Sequence, residues 1–143
     1  MKLYRAVIIL ACLTLGIPGA VAATLEAAYT TTAPSDNACN PGPRATNFLT
    51  TDATVWLYAA VSNGAAGDVM TVDWVQPNGG LYYTSTYEGL PEAGSYCFDD
   101  YLDVAGQPAA QFPGTWTIRG HWNGADFFTA TFTISTPGGT SGT

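Results

Sequence analysis

From residue 54 to residue 135, apolar and polar positions alternate in short stretches separated by turn signals about every ten residues, the period of half-buried strands. In 54–61, Val55, Leu57, Ala59 and Val61 fall on one face and Trp56 and Tyr58 on the other. In 69–76, Met70, Val72 and Trp74 share a face. Further strands are expected at 24–32, 81–88, 95–104, 115–122 and 126–135. In the last two, Trp116, Ile118 and Trp122 line one face and Phe128, Phe132 and Ile134 another. Pro77-Asn78-Gly79-Gly80 and Asn123-Gly124 mark tight hairpins, because Asn-Gly accepts positive φ at both central positions. The segments 33–43, 62–68, 89–94 and 105–114 are rich in turn residues and read as connections. No helical period and no internal repeat is present. Seven short strands predict an all-β chain folded as a two-sheet antiparallel sandwich, with a closed barrel as the alternative.

A different pattern precedes the first strand. Lys2 and Arg5 give a basic start, residues 6–17 are almost wholly apolar, and Pro18-Gly19 is followed by the small-x-small run Ala20-Val21-Ala22. This is the anatomy of a secretory signal, so 1–22 is expected to be a signal peptide, 23–135 the sandwich, and 136–143 a loose Gly/Ser/Thr tail. The apolar run is too short for a membrane span, and no later segment supplies one. The expected location is secreted: extracellular, cell surface or periplasm. A lipid-attachment reading of Cys12 competes with this but leaves too short an apolar run ahead of it.

Removing the leader changes the charge. Only Arg44 and Arg119 then oppose eleven acidic residues, and no lysine remains. Such a surface repels phosphate backbones, so nucleic-acid partners are not expected. Cys39 and Cys97 are left as a single pair, and in an oxidising compartment they are expected to bridge. Closing that loop would stabilise by about 4 kcal/mol on the chain-entropy estimate.

The order of features resembles immunoglobulin-like and fibronectin-III-like domains of bacterial secreted and surface proteins. The residues that carry the likeness are Asp73-Trp74-Val75-Gln76-Pro77-Asn78-Gly79, Tyr96-Cys97-Phe98, Gly114-Thr115-Trp116-Thr117-Ile118 and Phe132-Thr133-Ile134. They imply an Ig-like fold rather than an activity. The chain departs from the antibody pattern at one point. Tyr96 and Cys97 are adjacent and so face opposite ways, whereas a tyrosine corner stands two residues before the second cysteine. The bridge is therefore expected to staple the Pro-rich loop to a middle strand and not to pin the two sheets through the core.

Candidate chemistry is sparse. His121 is the single histidine and lies opposite the Trp116 face, as a solvated strand residue would. With both cysteines paired and no lysine, Cys-His, Ser-Lys and Schiff-base chemistry are unavailable, and no Gly-x-Ser-x-Gly turn presents a serine. No enzyme activity is expected. Asp99, Asp100 and Asp103 are the densest carboxylates; a calcium site and a solvated acidic edge both account for them, and no other cofactor is expected. Alternation cannot bury every aromatic, so Tyr82, Tyr83, Tyr87 and Trp122 are candidate ligand contacts, with cross-strand pairing as the plain alternative. The functional expectation is a non-catalytic binding or adhesion module acting through protein contacts. Glycan binding through exposed Tyr and Trp, and self-association as a structural subunit, are the alternatives.

Overall fold

The computed structural model describes residues 22–138. The signal expected at 1–22 lies outside them except for Ala22, as does the tail beyond Gly138. The described chain has eight strands and a single 3-10 turn at Pro108–Gln111. The strands are β1 (Thr24–Thr31), β2 (Asn47–Leu49), β3 (Thr54–Gly64), β4 (Met70–Val75), β5 (Leu81–Tyr87), β6 (Gly94–Asp103), β7 (Gly114–Trp122) and β8 (Ala125–Ser135). They form two sheets, β1-β3-β6 and β2-β8-β7-β4-β5. The two-sheet sandwich and its disulfide follow the sequence reading. The wholly antiparallel pairing does not, because β2 runs parallel to β8, with Phe48 opposite Ile134. Three residues are too few to show an alternation. The short strand is held because Phe48 is buried and sets its ring edge-on to Phe132 at 5.9 Å.

The expected faces hold. Val55, Leu57, Ala59 and Val61 of β3 are buried, as are Met70, Val72 and Trp74 of β4 and Trp116, Ile118 and Trp122 of β7. Trp74 and Trp116 are fully enclosed and both pack on Phe132, one edge-on and the other stacked. Phe98 meets Trp122 and Tyr87 at the far end of the core. Gly120 lies opposite Phe128 and must be glycine: an added Cβ would fall 2.1 Å from that ring.

Only one of the two hairpin turns takes the expected form. Asn123 and Gly124 have φ of 50° and 82°, as a tight two-residue turn requires. At the other, only Gly79 is positive, at 88°. The Gly79 N–H donates to the Gln76 carbonyl, and the Asn78 side chain accepts from Gly80 N–H instead of turning its own backbone. Pro77 fixes the φ of the residue after Gln76, which suits a type I turn. A bulge follows. Trp74 pairs with Tyr83 but Val75 pairs with Leu81, so Tyr82 is the extra residue.

The loop between β1 and β2 folds over the outer face of the three-stranded sheet. Thr32 and Pro43 share a backbone hydrogen bond, Arg44 stacks over Tyr29 at 4.6 Å, and Tyr29 meets Tyr58 at 5.5 Å. Tyr58, expected outside, is therefore outside its sheet yet buried beneath this loop.

Trp116→Ala should cost about 3–5 kcal/mol, as large aromatic truncations in cores do. Urea unfolding checks this; a loss under about 1 kcal/mol would mean that the Trp116 site is not part of a packed core.

Candidate functional site

Two edge strands from different sheets, β5 and β6, face each other along one open side of the sandwich. Side chains from both tie that side together. Asp100 of β6 is 7% exposed and points inward. Its Oδ2 accepts from Trp74 Nε1 at 2.9 Å and from the Ser85 hydroxyl at 2.6 Å, and its Oδ1 accepts from the backbone N–H of Tyr101 at 2.9 Å. One carboxyl therefore joins β6 to both β4 and β5. The Tyr87 hydroxyl adds a second tie by donating to the Asp99 carbonyl. Burial first, then the charges of Asp100 and Asp99, pushes the Tyr87 phenol well above its ordinary value of 10.0.

Beside this tie lies a shallow groove of about 220 Å³, lined by Tyr82, Tyr83, Tyr101, Asp103 and Gln107 among others. The bulge creates it: regular alternation would send Tyr82 and Tyr83 to opposite faces, and both line this groove instead. Tyr82 leans edge-on against Trp116 at 5.4 Å. Tyr83 and Tyr101 stand out at 50% and 51% exposure, with Leu81 at 62% near the start of the same strand. Tyr101 rests against Trp56 at 5.2 Å, so the aromatic surface continues onto the outer face of the three-stranded sheet.

Of the four aromatics singled out in the sequence, Tyr83 alone is exposed. Tyr82 and Tyr87 are partly buried, and Trp122 is buried with its indole N–H donating to Asp68 at 3.1 Å. The Asn123 side-chain amide, then the Ala65 backbone N–H, hold Asp68 below the usual carboxylate range. Tyr101 and Leu81 were missed. Tyr101 sits in the acidic stretch, where the carboxylates drew the reading, and Leu81 reads as an ordinary strand residue.

The three carboxylates do not converge. Asp99 accepts from the Ser35 backbone and hydroxyl beneath the capping loop, Asp100 turns into the core, and exposed Asp103 accepts from Thr54. Successive strand residues point to opposite faces, which separates Asp99 from Asp100. Among the described residues no group of three His, Cys, Asp or Glu side chains is placed to hold a metal ion. The calcium reading of Asp99, Asp100 and Asp103 thus finds no shared site.

Cys39 and Cys97 are bridged, with α-carbons 5.8 Å apart. The bridge fastens the capping loop to the outer face of its sheet, as expected, but β6 is an edge strand and not a middle one. Tyr58 reinforces it by donating to the Cys39 carbonyl at 2.9 Å.

A larger groove, about 430 Å³, lies on the outer face of the other sheet around Asp73, Arg119, His121 and Asp126. Its histidine is held rather than free: Asp73 stands 3.2 Å from Nε2 and Asp126 3.2 Å from Nδ1. The Nε2–Asp73 contact lies within hydrogen-bond distance, while Asp126 beside Nδ1 is fully exposed.

No family model matches the sequence, and no curated protein matches it. Solved structures do. An immunoglobulin-like protein of Pseudomonas aeruginosa aligns with a TM-score of 0.57 at 10% identity, over 80% of this chain and 98% of that one. The alkylpurine DNA glycosylase AlkC of Pseudomonas fluorescens, solved on DNA containing an abasic-site analogue, aligns with a TM-score of 0.54 at 10% identity. That match covers 80% of this chain but 30% of the glycosylase. At such identity the likeness establishes the fold alone, and the fold is immunoglobulin-like.

The raised Tyr87 phenol sets a pH signature. A group whose pKa rises on folding contributes stability that is complete below its unfolded value and lost as pH climbs above it. The urea midpoint should therefore hold steady to about pH 10 and fall beyond it. Tyr87→Phe should lower the plateau by about 1 kcal/mol, for the lost hydrogen bond, and flatten the alkaline fall. An equally steep fall in the variant would rule out Tyr87 as its source.

Proposed function

We propose that the protein is a secreted, non-catalytic binding module of a bacterial cell exterior, acting through protein contacts at the β5–β6 rim. The observation that carries this reading is the clustering of Leu81, Tyr83 and Tyr101 at one open edge, each at least half exposed. Tyrosine supplies large contact area at little conformational cost, and apolar patches with a polar border mark interaction sites. Here the border is Asp103 and Gln107. Export is supported by the leader-like residues 1–22 and by a disulfide of the kind that persists in oxidising compartments. No helix among the described residues is long and apolar enough to cross a membrane.

Glycan binding is the second reading, favoured by the tyrosine-walled groove with its Asp103 and Gln107 hydrogen-bonding groups. Protein contact ranks first because Tyr83 and Tyr101 come from strands of different sheets and flank an edge. A flat row of rings across one face, which sugar stacking would favour, is not what they form.

The test compares the protein with a Tyr83→Ala, Tyr101→Ala variant on arrays of surface proteins and of polysaccharides, scoring retention and product together. The variant should keep its stability to within about 1 kcal/mol, since both residues are half exposed. Retention on a protein that falls at least about tenfold in the variant is the expected result, roughly 1.4 kcal/mol of binding. The same loss on a glycan would promote the second reading, and product formation would overturn the non-catalytic one.

A further inference from the structure

A sandwich with open sheets has four edges, and three of these are blunted. β2 is three residues long. β1 bulges at Glu26, and near its end the chain pairs back on it through Thr31 and Arg44. β6 carries Asp99, Asp100 and Asp103 and lies beside the loop stapled at Cys97. Short strands, bulges, charges and covering loops are the recognised ways of stopping edges from pairing.

β5 has none of these over most of its length. From Leu81 to Tyr87 it holds no charged residue and no proline. Its bulge sits at Tyr82, which leaves 83–87 in regular register with β4. That regular stretch reads the same in both directions: Tyr83-Thr84-Ser85-Thr86-Tyr87. We infer that the β5 edge pairs with β5 of a second copy, antiparallel about Ser85, so that one continuous sheet runs through both copies. This deepens the protein-contact reading and rests on it.

The palindrome makes the pairing self-complementary, as a twofold contact requires. Thr84 stands opposite Thr86 of the second copy, and Tyr83 opposite its Tyr87. Thr–Thr and aromatic pairs are both favourable across antiparallel strands. Thr84 and Thr86 are exposed. The Thr84 hydroxyl donates to Asp73 at 2.6 Å, so its oxygen is free to accept from Thr86 of the second copy. Glu88, the nearest charge along the chain, falls opposite Tyr82 and not opposite its own counterpart, so no like charges meet across the seam. The general acidity of the chain does oppose association, and salt screens that repulsion. Pairing of this origin strengthens as salt is added.

Sedimentation velocity on the purified protein at low and high NaCl tests the inference. The expected result is a reversible dimer that tightens with salt. Thr86→Glu, a surface change that puts charge on the edge, should weaken it by about tenfold or more without moving the urea midpoint. A monomer at every salt concentration, or a dimer indifferent to Thr86→Glu, would overturn the inference. Tyr101 lies on β6, outside the seam, and separates this inference from the broader reading. Dimerisation lost with Thr86→Glu and kept in Tyr101→Ala supports strand pairing. Partner retention that depends on Tyr83 and Tyr101 in a protein that stays monomeric overturns strand pairing and leaves the rim reading standing.

Discussion

The carboxyl of Asp100 crosses from one sheet to the other, and the open side of the sandwich depends on it. It leaves β6, meets the indole N–H of Trp74 on β4 of the five-stranded sheet, and takes the Ser85 hydroxyl on the neighbouring edge strand. Burying such a group is costly unless its oxygens are satisfied, and here they take three donors. The cystine, which in antibody domains lies between the sheets, is displaced to the outer surface of the smaller sheet. There it constrains the capping loop and leaves the joining of the sheets to packing, to this polar tie and to the Tyr87 hydrogen bond.

The rim follows from that arrangement. Tyr101 is the residue after Asp100, and Tyr83 is two residues before Ser85, so the tie fixes the strands that present both rings. The Tyr82 bulge then turns a second tyrosine into the same groove. Charge is excluded from β5 and concentrated on β6, so the two lips of the open side differ: one is neutral and apt to pair, the other acidic.

Burial of Val55, Leu57, Trp74 and Trp116 was legible in the sequence because alternation needs only a few residues to declare a face. β2 was illegible, since a three-residue strand has no period and is held by Phe48 reaching Phe132 from far along the chain. The Asn78-Gly79 turn misled because Asn78 keeps a negative φ and its side chain accepts from Gly80 N–H, and the bulge that followed brings two adjacent tyrosines to one groove, which simple alternation does not foresee. Asp100 was the hardest to place. A run of Asp99, Asp100 and Asp103 reads as one acidic surface, and nothing local says that the middle carboxyl turns inward to an indole 26 residues earlier. The acidic run was visible; the division of its labour was not.

The central claim is that Asp100 holds the open side closed, and urea unfolding of Asp100→Ala beside Asp100→Asn tests it most directly. Alanine takes the acceptor from the buried Trp74 N–H and from the half-buried Ser85 hydroxyl, so it should cost about 3 kcal/mol, while asparagine keeps an acceptor for them and should cost less. Near-ultraviolet circular dichroism should show a disturbed Trp74 environment in the alanine variant. Losses under about 1 kcal/mol in both variants would contradict the account and leave the joining of the sheets to apolar packing and the Tyr87 hydrogen bond.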